Sequence, residues 1–236
     1  MWNWLIGTGP RKAEYYKGLE IHADPAVHGA AAALMQRIVP AGATVLDLGA
    51  GAGAMSLRLA DCGYQVTGLD ASAAEWTSGL PFIQADLNGD WAKSVSGQFD
   101  AVCCIEVIEH LENPWKFLRD IHAVLKPGGK FVMSTPHTTN FVSRLTFLRI
   151  GEFSGFGTAD LSYGHISPLS PFEIRNIVAN TGWRIIESEV TGLLPIFEFE
   201  SAAPRVFAQN ALRGLAFVLA KGEKHGRIQL YSLERA

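Results

Sequence analysis

The chain has 236 residues, 48% of them hydrophobic and 18% charged, and its 20 Lys+Arg against 23 Asp+Glu leave a formal net charge of −3. A chain this long can bury a core without disulfides or metals, and so low a charged fraction excludes disorder over most of it. The slightly acidic balance excludes a protein whose main task is gripping phosphate backbones, so no nucleic-acid partner is expected.

The opening Met1-Trp-Asn-Trp-Leu-Ile-Gly has neither a basic region nor a long apolar run, so it does not read as a secretory signal. Asp24-Pro25 is a helix start, and Val27, Ala31, Leu34, Met35 and Ile38 recur at three- and four-residue steps, which predicts a helix up to Val39. Pro40-Ala-Gly then turns the chain into Thr44-Val-Leu-Asp-Leu48, a short buried strand followed by glycines at 49, 51 and 53. A helix through Met55, Leu59 and Ala60 stops at Gly63. Strands are predicted at Tyr64–Leu69, ending at Asp70, at Pro81–Ala85, ending at Asp86, and at Phe99–Ile105. Cys103 and Cys104 lie inside that last apolar run. With Cys62 they form no Cys-x-x-Cys, so they read as reduced thiols of a cytoplasmic protein. Asn113-Pro114 opens a helix with a Leu118, Ile121, Leu125 stripe, ended by Lys126-Pro-Gly-Gly129. Lys130–Thr135 is a fifth strand. Ser170-Pro-Phe-Glu173 is a capping box opening a helix to Asn180, and Trp183–Val190 is a sixth strand. Beyond that, Pro204–Arg213 reads as a helix and Leu215–Lys221 as a final edge strand. The late apolar run from Leu215 to Ala220 is far shorter than the ~20 residues of a spanning helix. Contact with a membrane surface from the outside stays open. Apolar strands alternating with helices predict an α/β fold, a doubly wound and mostly parallel sheet with helices on both faces.

In such a sheet ligands bind beyond the carboxyl ends of the strands. Gly49, Gly51 and Gly53 would let a ligand approach the backbone where the next helix offers free N–H groups. Asp70 lies 23 residues beyond Asp47, at the tip of the second strand, where a carboxylate holds a ribose diol. Asp86 extends the acidic row, with helix capping or turn formation as the competing explanation. Two cofactor classes fit. Gly49-x-Gly51-x-x-Ala54 would suit a nicotinamide dinucleotide. Asp47, two residues before the first glycine, would repel a pyrophosphate but attract an ammonium and a sulfonium, which points to S-adenosylmethionine.

Val45-Leu-Asp-Leu-Gly-Ala-Gly-Ala-Gly53, Ile105-Glu-Val-Ile-Glu-His-Leu111, Leu125-Lys-Pro-Gly-Gly129 and Ser134-Thr-Pro136 together resemble the motifs of class I S-adenosylmethionine-dependent methyltransferases, in order from about Thr44 to Val190. The resemblance is to the branch containing the ubiquinone-biosynthesis O-methyltransferases. It implies a seven-stranded, Rossmann-like methyltransferase domain over 1–236. Within it lie an N-terminal arm and helix (1–40), a cofactor-binding half (41–136), an acceptor-binding insertion or lid (137–166) and the C-terminal half of the sheet (167–236). It implies that Gly49, Ala50, Gly51 and Gly53 meet the carboxypropyl part of the cofactor and that Asp47 faces its amino group through water. Asp70 would accept the ribose hydroxyls, and Asp86 the adenine amino group. The Leu87 N–H would meet a ring nitrogen, Ala71 the adenine side, and the Ile105 carbonyl the methionyl ammonium. The stretch from Asp70 to Pro81 is short for that family's second helix.

An oxygen acceptor has to lose its proton, and histidine is the usual base. His137 follows the fifth strand and His165 sits just before the capped helix, so these two are the catalytic candidates; His110 is a third, while His122 reads as structural. Glu106, Glu109 and His110 suggest a metal, but Glu106 and His110 straddle a strand end, and none is expected. The insertion Thr138–Gly164 carries Phe141, Phe147, Phe153 and Phe156 with Arg144 and Arg149. It reads as the pocket for a small-molecule acceptor (a quinone-like phenol, a glycan sugar or another metabolite) or else as a helical hairpin packing its own aromatics. The apolar 193–199 stretch would add to that pocket, and Tyr15, Tyr16 and His22 would cover it. A nicotinamide oxidoreductase and a non-catalytic binding module are the rival readings.

Overall fold

The computed structural model describes residues 13–158, 160–192, 194, 204–222 and 225–236. The N-terminal heptapeptide and, apart from Leu194, the 193–199 stretch lie outside them.

The polar arm contains a hairpin absent from the sequence expectation, β1 (Glu14–Tyr16) and β2 (Leu19–Ile21), turned at Lys17-Gly18 with positive φ at both residues. It is pinned to the helix α2 (Ala54–Asp61), since the Tyr16 hydroxyl and Lys17 both donate to Asp61 and the Arg58 guanidinium lies 4.0 Å over the Tyr16 ring. Before α2 come α1 (Pro25–Ile38), capped by the Asp24 side chain, and β3 (Thr44–Leu48). After it come β4 (Gln65–Asp70), β5 (Phe82–Gln84) and β6 (Phe99–Cys104). The short link between β4 and β5 carries no helix, as its length required.

Helix α3 (Pro114–Val124) starts where the Asn113 side chain accepts from the Lys116 N–H, and α5 (Pro171–Asn180) where Ser170 accepts from the Glu173 N–H. Each such cap is worth about 1 kcal/mol. Between them run β7 (Leu125–Pro136) and α4 (Phe141–Ile150), the latter closed by Gly151 at φ 75°. Leu125 is not the last helical residue but the first of β7. Lys126-Pro-Gly-Gly bulges out of the strand, because the pairing jumps from Phe99↔Leu125 to Ala101↔Lys130.

The C-terminal part departs most from expectation. Beyond β8 (Trp183–Thr191), one helix α6 (Pro204–Leu219) absorbs the apolar run expected as an edge strand. A run that short fits either a helix or a strand. The seventh strand is β9 (Ile228–Arg235), and it lies inside the sheet, antiparallel to both β7 and β8. The strand order β5-β4-β3-β6-β7-β9-β8 reverses direction between β3 and β6. Two apolar layers cover the sheet. One is built on Leu118, Ile121, Ile174 and Trp183, the other on Val27, Leu34, Met35 and Leu59. Among the described residues no helix is long and apolar enough to cross a membrane.

Candidate active site

Leu48 of β3 pairs with Cys104 of β6, so the next residues, Gly49 and Ile105, flank the point where the strand order reverses. Gly49 has φ 71°, and a Cβ there would lie 2.3 Å from Val107 Cγ2, so only glycine fits beside the loop after β6. The turn folds back on the tip of β4. The Leu69 carbonyl accepts from the N–H of Gly49 (2.8 Å) and of Ala50 (3.1 Å), and Gly53 donates to the Ala50 carbonyl. The Gly51 N–H donates to Asp70 Oδ2 at 2.9 Å, while the Ser72 N–H donates to Asp70 Oδ1 at 3.1 Å. Asp70 and the glycine turn therefore share one crevice.

Asp47 is buried beneath this turn, and Ser56 Oγ of α2 donates to its Oδ2 at 2.5 Å. Burial pushes its carboxyl up to about 7, with the Asp70 charge adding to the rise and the Ser56 hydrogen bond opposing it. Asp86 stays exposed in an Asx turn, accepting from the Asn88 N–H at 2.9 Å, and Leu87 beside it is half-buried. The Ala71 carbonyl accepts from Gln84 Nε2. Ile105 is buried. Among the described residues, Asp47, Asp70 and Asp86 take part in no ion pair. An acidic fringe without cations of its own fits a ligand carrying an ammonium and a sulfonium.

One residue on this cradle, Trp76, escaped sequence reading, and another, His22, is one that the sequence placed over the acceptor pocket instead. The Trp76 ring lies over Gly68 and Gly53, anchored by Nε1 donating to the Leu80 carbonyl. Its signal was a lone large aromatic in an otherwise small, polar link. His22, from the end of the hairpin, stands against Gly51, where an added Cβ would lie 3.1 Å from its Nδ1.

The histidines separate clearly. His137 is 1% exposed, with Nδ1 donating to the His225 carbonyl at 2.8 Å and Nε2 accepting from the Thr139 hydroxyl at 3.3 Å. Both nitrogens are thus engaged within the protein. His122 stacks on Trp183 at 4.3 Å and bonds the Thr181 carbonyl. His165 is half-exposed, and its Nδ1 donates to the Gly155 carbonyl at 2.7 Å, which leaves the Nε2 lone pair free for other chemistry. Its ring meets His110 edge-on at 4.9 Å and Phe156 at 5.3 Å. In the insertion, Phe147 stacks on Phe153 at 4.7 Å and Phe141 meets Phe217 of α6 at 5.6 Å. Arg144 donates to the Thr139 and Lys221 carbonyls, so it ties the α4 and α6 segments together.

The family described as "Methyltransferase domain" matches residues 24–188. The chain belongs to this methyltransferase-domain family. Over 112 residues it is 39% identical to the ubiquinone biosynthesis O-methyltransferase of Xanthomonas axonopodis pv. citri, a match covering 44% of this chain and 47% of that protein. The aligned part thus spans less than half of the curated relative. Its fold is that of a SAM-dependent methyltransferase from Archaeoglobus fulgidus (TM-score 0.60, 17% identity, 88% of this chain and 94% of that one). It is also that of the Synechocystis PCC 6803 magnesium protoporphyrin IX methyltransferase with bound SAH (TM-score 0.57, 18% identity, 89% and 82%). In this methyltransferase-family chain the cradle and the half-exposed His165 lie outside the carboxyl ends of the sheet, where a doubly wound fold places its ligand.

Proposed function

We propose that the chain is an S-adenosylmethionine-dependent methyltransferase acting on an oxygen of a small or medium-sized apolar acceptor, a quinone-like phenol ahead of a glycan sugar. The bound cofactor supplies a methyl group already activated on a positive sulfur. The observation that carries the reading is the Gly51–Asp70 hydrogen bond. It joins the glycine turn to the Asp70 carboxylate, and among the described residues Asp47, Asp70 and Asp86 take part in no ion pair. Gly49, Ala50, Gly51 and Gly53 bring backbone close to the carboxypropyl chain. Asp47 and the Ile105 carbonyl face the ammonium, Asp70 takes the ribose hydroxyls, and Ala71, Asp86 and Leu87 border the adenine.

The acceptor lies against the 137–166 insertion, on the side of His165. The exposed apolar side chains of Phe147, Leu148 and Ile150 on α4, and of Phe207, Leu215 and Val218 on α6, suit a greasy acceptor or the surface of a membrane that carries one. The free Nε2 of His165 is the atom that takes up the acceptor's proton or holds whatever acidifies it. His137, with both nitrogens occupied, positions the start of the insertion through Thr139 and the 225–227 strand entry. Three free thiols, two of them buried, fit a reducing cytoplasmic setting.

Calorimetric titration with S-adenosylhomocysteine, alongside NADH, tests the cradle, and methyl release onto a panel of catechols and quinols tests the reaction. Binding of S-adenosylhomocysteine without NADH, with turnover on a phenolic oxygen, is the expected result. NADH binding alone would overturn the cofactor, and cofactor binding without turnover on any acceptor would leave a binding module.

A further inference from the structure

The N-terminal arm and the link between β4 and β5 come from separate parts of the chain and meet at the cradle. The arm's hairpin is fastened at its turn, where the Tyr16 hydroxyl (2.6 Å) and Lys17 (2.7 Å) donate to Asp61 at the end of α2. At its other end Asp24 caps α1 and lies close to Gly192, where an added Cβ would be 3.3 Å from its Oδ2. His22 sits between these two anchors, with its Nδ1 edge on Gly51, the residue whose N–H orients Asp70. The link starts on Asp70 itself, whose Oδ1 accepts from the Ser72 N–H. It continues through turns in which Ser72 Oγ accepts from the Ala74 N–H and the Ala73 carbonyl from the Trp76 N–H. Trp76 is fixed in turn, with Nε1 donating to the Leu80 carbonyl and its ring 4.8 Å from that of Phe82. Glu75 is thus held next to an anchored residue, and its Oε2 lies 3.5 Å from His22 Nε2.

We propose that His22 and Glu75 form a clasp across the mouth of the cradle, which retains a bound S-adenosyl cofactor and has to open each time one enters or leaves. The proposal rests on the S-adenosylmethionine reading of the cradle and adds to it a part that neither the glycine turn nor the acidic row plays. The turn and Asp70 bind, whereas the His22–Glu75 pair sets how long the ligand stays. The geometry suits a closure that is broken and remade. Both side chains are exposed, and a pair of exposed charges adds little to the stability of a fold, so parting them costs the protein little. The segments on either side of the pair are fixed by the bonds to Asp61, Asp70 and the Leu80 carbonyl, so the side chains return to the same place when they close. The β4–β5 link carries no helix, which puts Glu75 in a turn only a few residues beyond the Asp70 carboxylate rather than on a helix face. A clasp is passed in both directions. Loosening it therefore raises the rates of entry and of exit together, and affinity moves less than either rate.

The test is surface plasmon resonance with S-adenosylhomocysteine passed over the immobilised full chain, for the parent, His22→Ala, Glu75→Gln and the double variant. Each single substitution should raise the dissociation rate constant about threefold, a change within reach of one exposed ion pair. The association rate constant should rise with it, so that Kd changes by less than the dissociation rate constant does. The double variant should exchange no faster than the faster single one, because either change alone already opens the clasp. Ligand-free melting temperatures should stay at the parent's value, since both side chains are exposed. Unchanged rates in both single variants, or effects that multiply in the double variant, would overturn the clasp. So would a rise in dissociation alone, which would make the two residues plain ligand contacts, and so would faster exchange accompanied by a lower melting temperature, the mark of a loosened arm. A parent that binds no S-adenosylhomocysteine overturns the cofactor reading and the clasp together. A parent that binds it, with variants of unchanged rate, leaves that reading standing and removes the clasp alone.

Discussion

Asp70 receives the Gly51 and Ser72 N–H groups on different oxygens, so its carboxylate is oriented before any ligand arrives. Asp70→Ala removes both that orientation and the ligand contact. We expect S-adenosylhomocysteine affinity to fall by about 1.5–3 kcal/mol, roughly ten- to a hundredfold, in a calorimetric titration. Asp47 makes a second, pH-dependent prediction. Its carboxyl titrates near 3.8 in the unfolded chain and about 7 in the folded one. Between these values the folded state keeps a proton that the unfolded state has released. Its contribution to stability therefore falls as pH rises through that window and levels off above it. Asp47→Asn should abolish this fall, so the variant's advantage in melting temperature over the parent should grow from about pH 4 to about pH 7 in ligand-free protein. An advantage that is flat with pH would mean that Asp47 is not protonated in the folded state.

At the scale of elements, Asp100 shows how the sheet's far end is tied. It accepts from the Thr44 N–H and hydroxyl and from Lys126, which joins the starts of β3 and β6 to the bulge in β7. Lys126 first, then the Thr44 bonds, hold its carboxyl down at about 2. The ionised form thus adds stability that is fully present above its unfolded pKa of 3.8 and is lost as pH falls toward 2. Asp100→Asn should cost about 1 kcal/mol by urea denaturation near neutral pH, the lower end for charged hydrogen bonds because the carboxyl is 38% exposed. The parent and variant should converge in acid. Elements of this kind were legible where local chemistry announced them. Asn113-Pro114 and Ser170-Pro171 carry their helix starts in their own side chains. α6 and β9 were not legible. The run from Leu215 to Ala220 fits either period, and Gln229 and Ser232 interrupt the apolar pattern of a strand that is nonetheless buried between two others.

For the whole molecule, β9 is the piece that joins the parallel sheet to its last strand. It pairs over six residue positions with β7 and over eight with β8. A chain ending before Ile228 would leave Leu230, Tyr231 and Leu233 missing from the core and β8 without a partner. It should lose cooperative thermal unfolding, as read by circular dichroism, even with the cradle sequence intact. A sharp transition in that shortened chain would show that the cofactor half folds by itself.

From its letters alone this protein determined the alternation of strands and helices, the glycine turn and the acidic row at the strand ends, because each is written in residues adjacent in sequence: caps, periods of two and 3.6, and a turn that only glycine can make. Tertiary structure alone decided that His165 rather than His137 keeps a free nitrogen, that Trp76 and His22 stand over the cradle, and that Glu109, His110 and His165 converge. These depend on burial and on hydrogen bonds between segments far apart in the chain. A short sequence pattern carries no record of such partners until the sheet has brought them together.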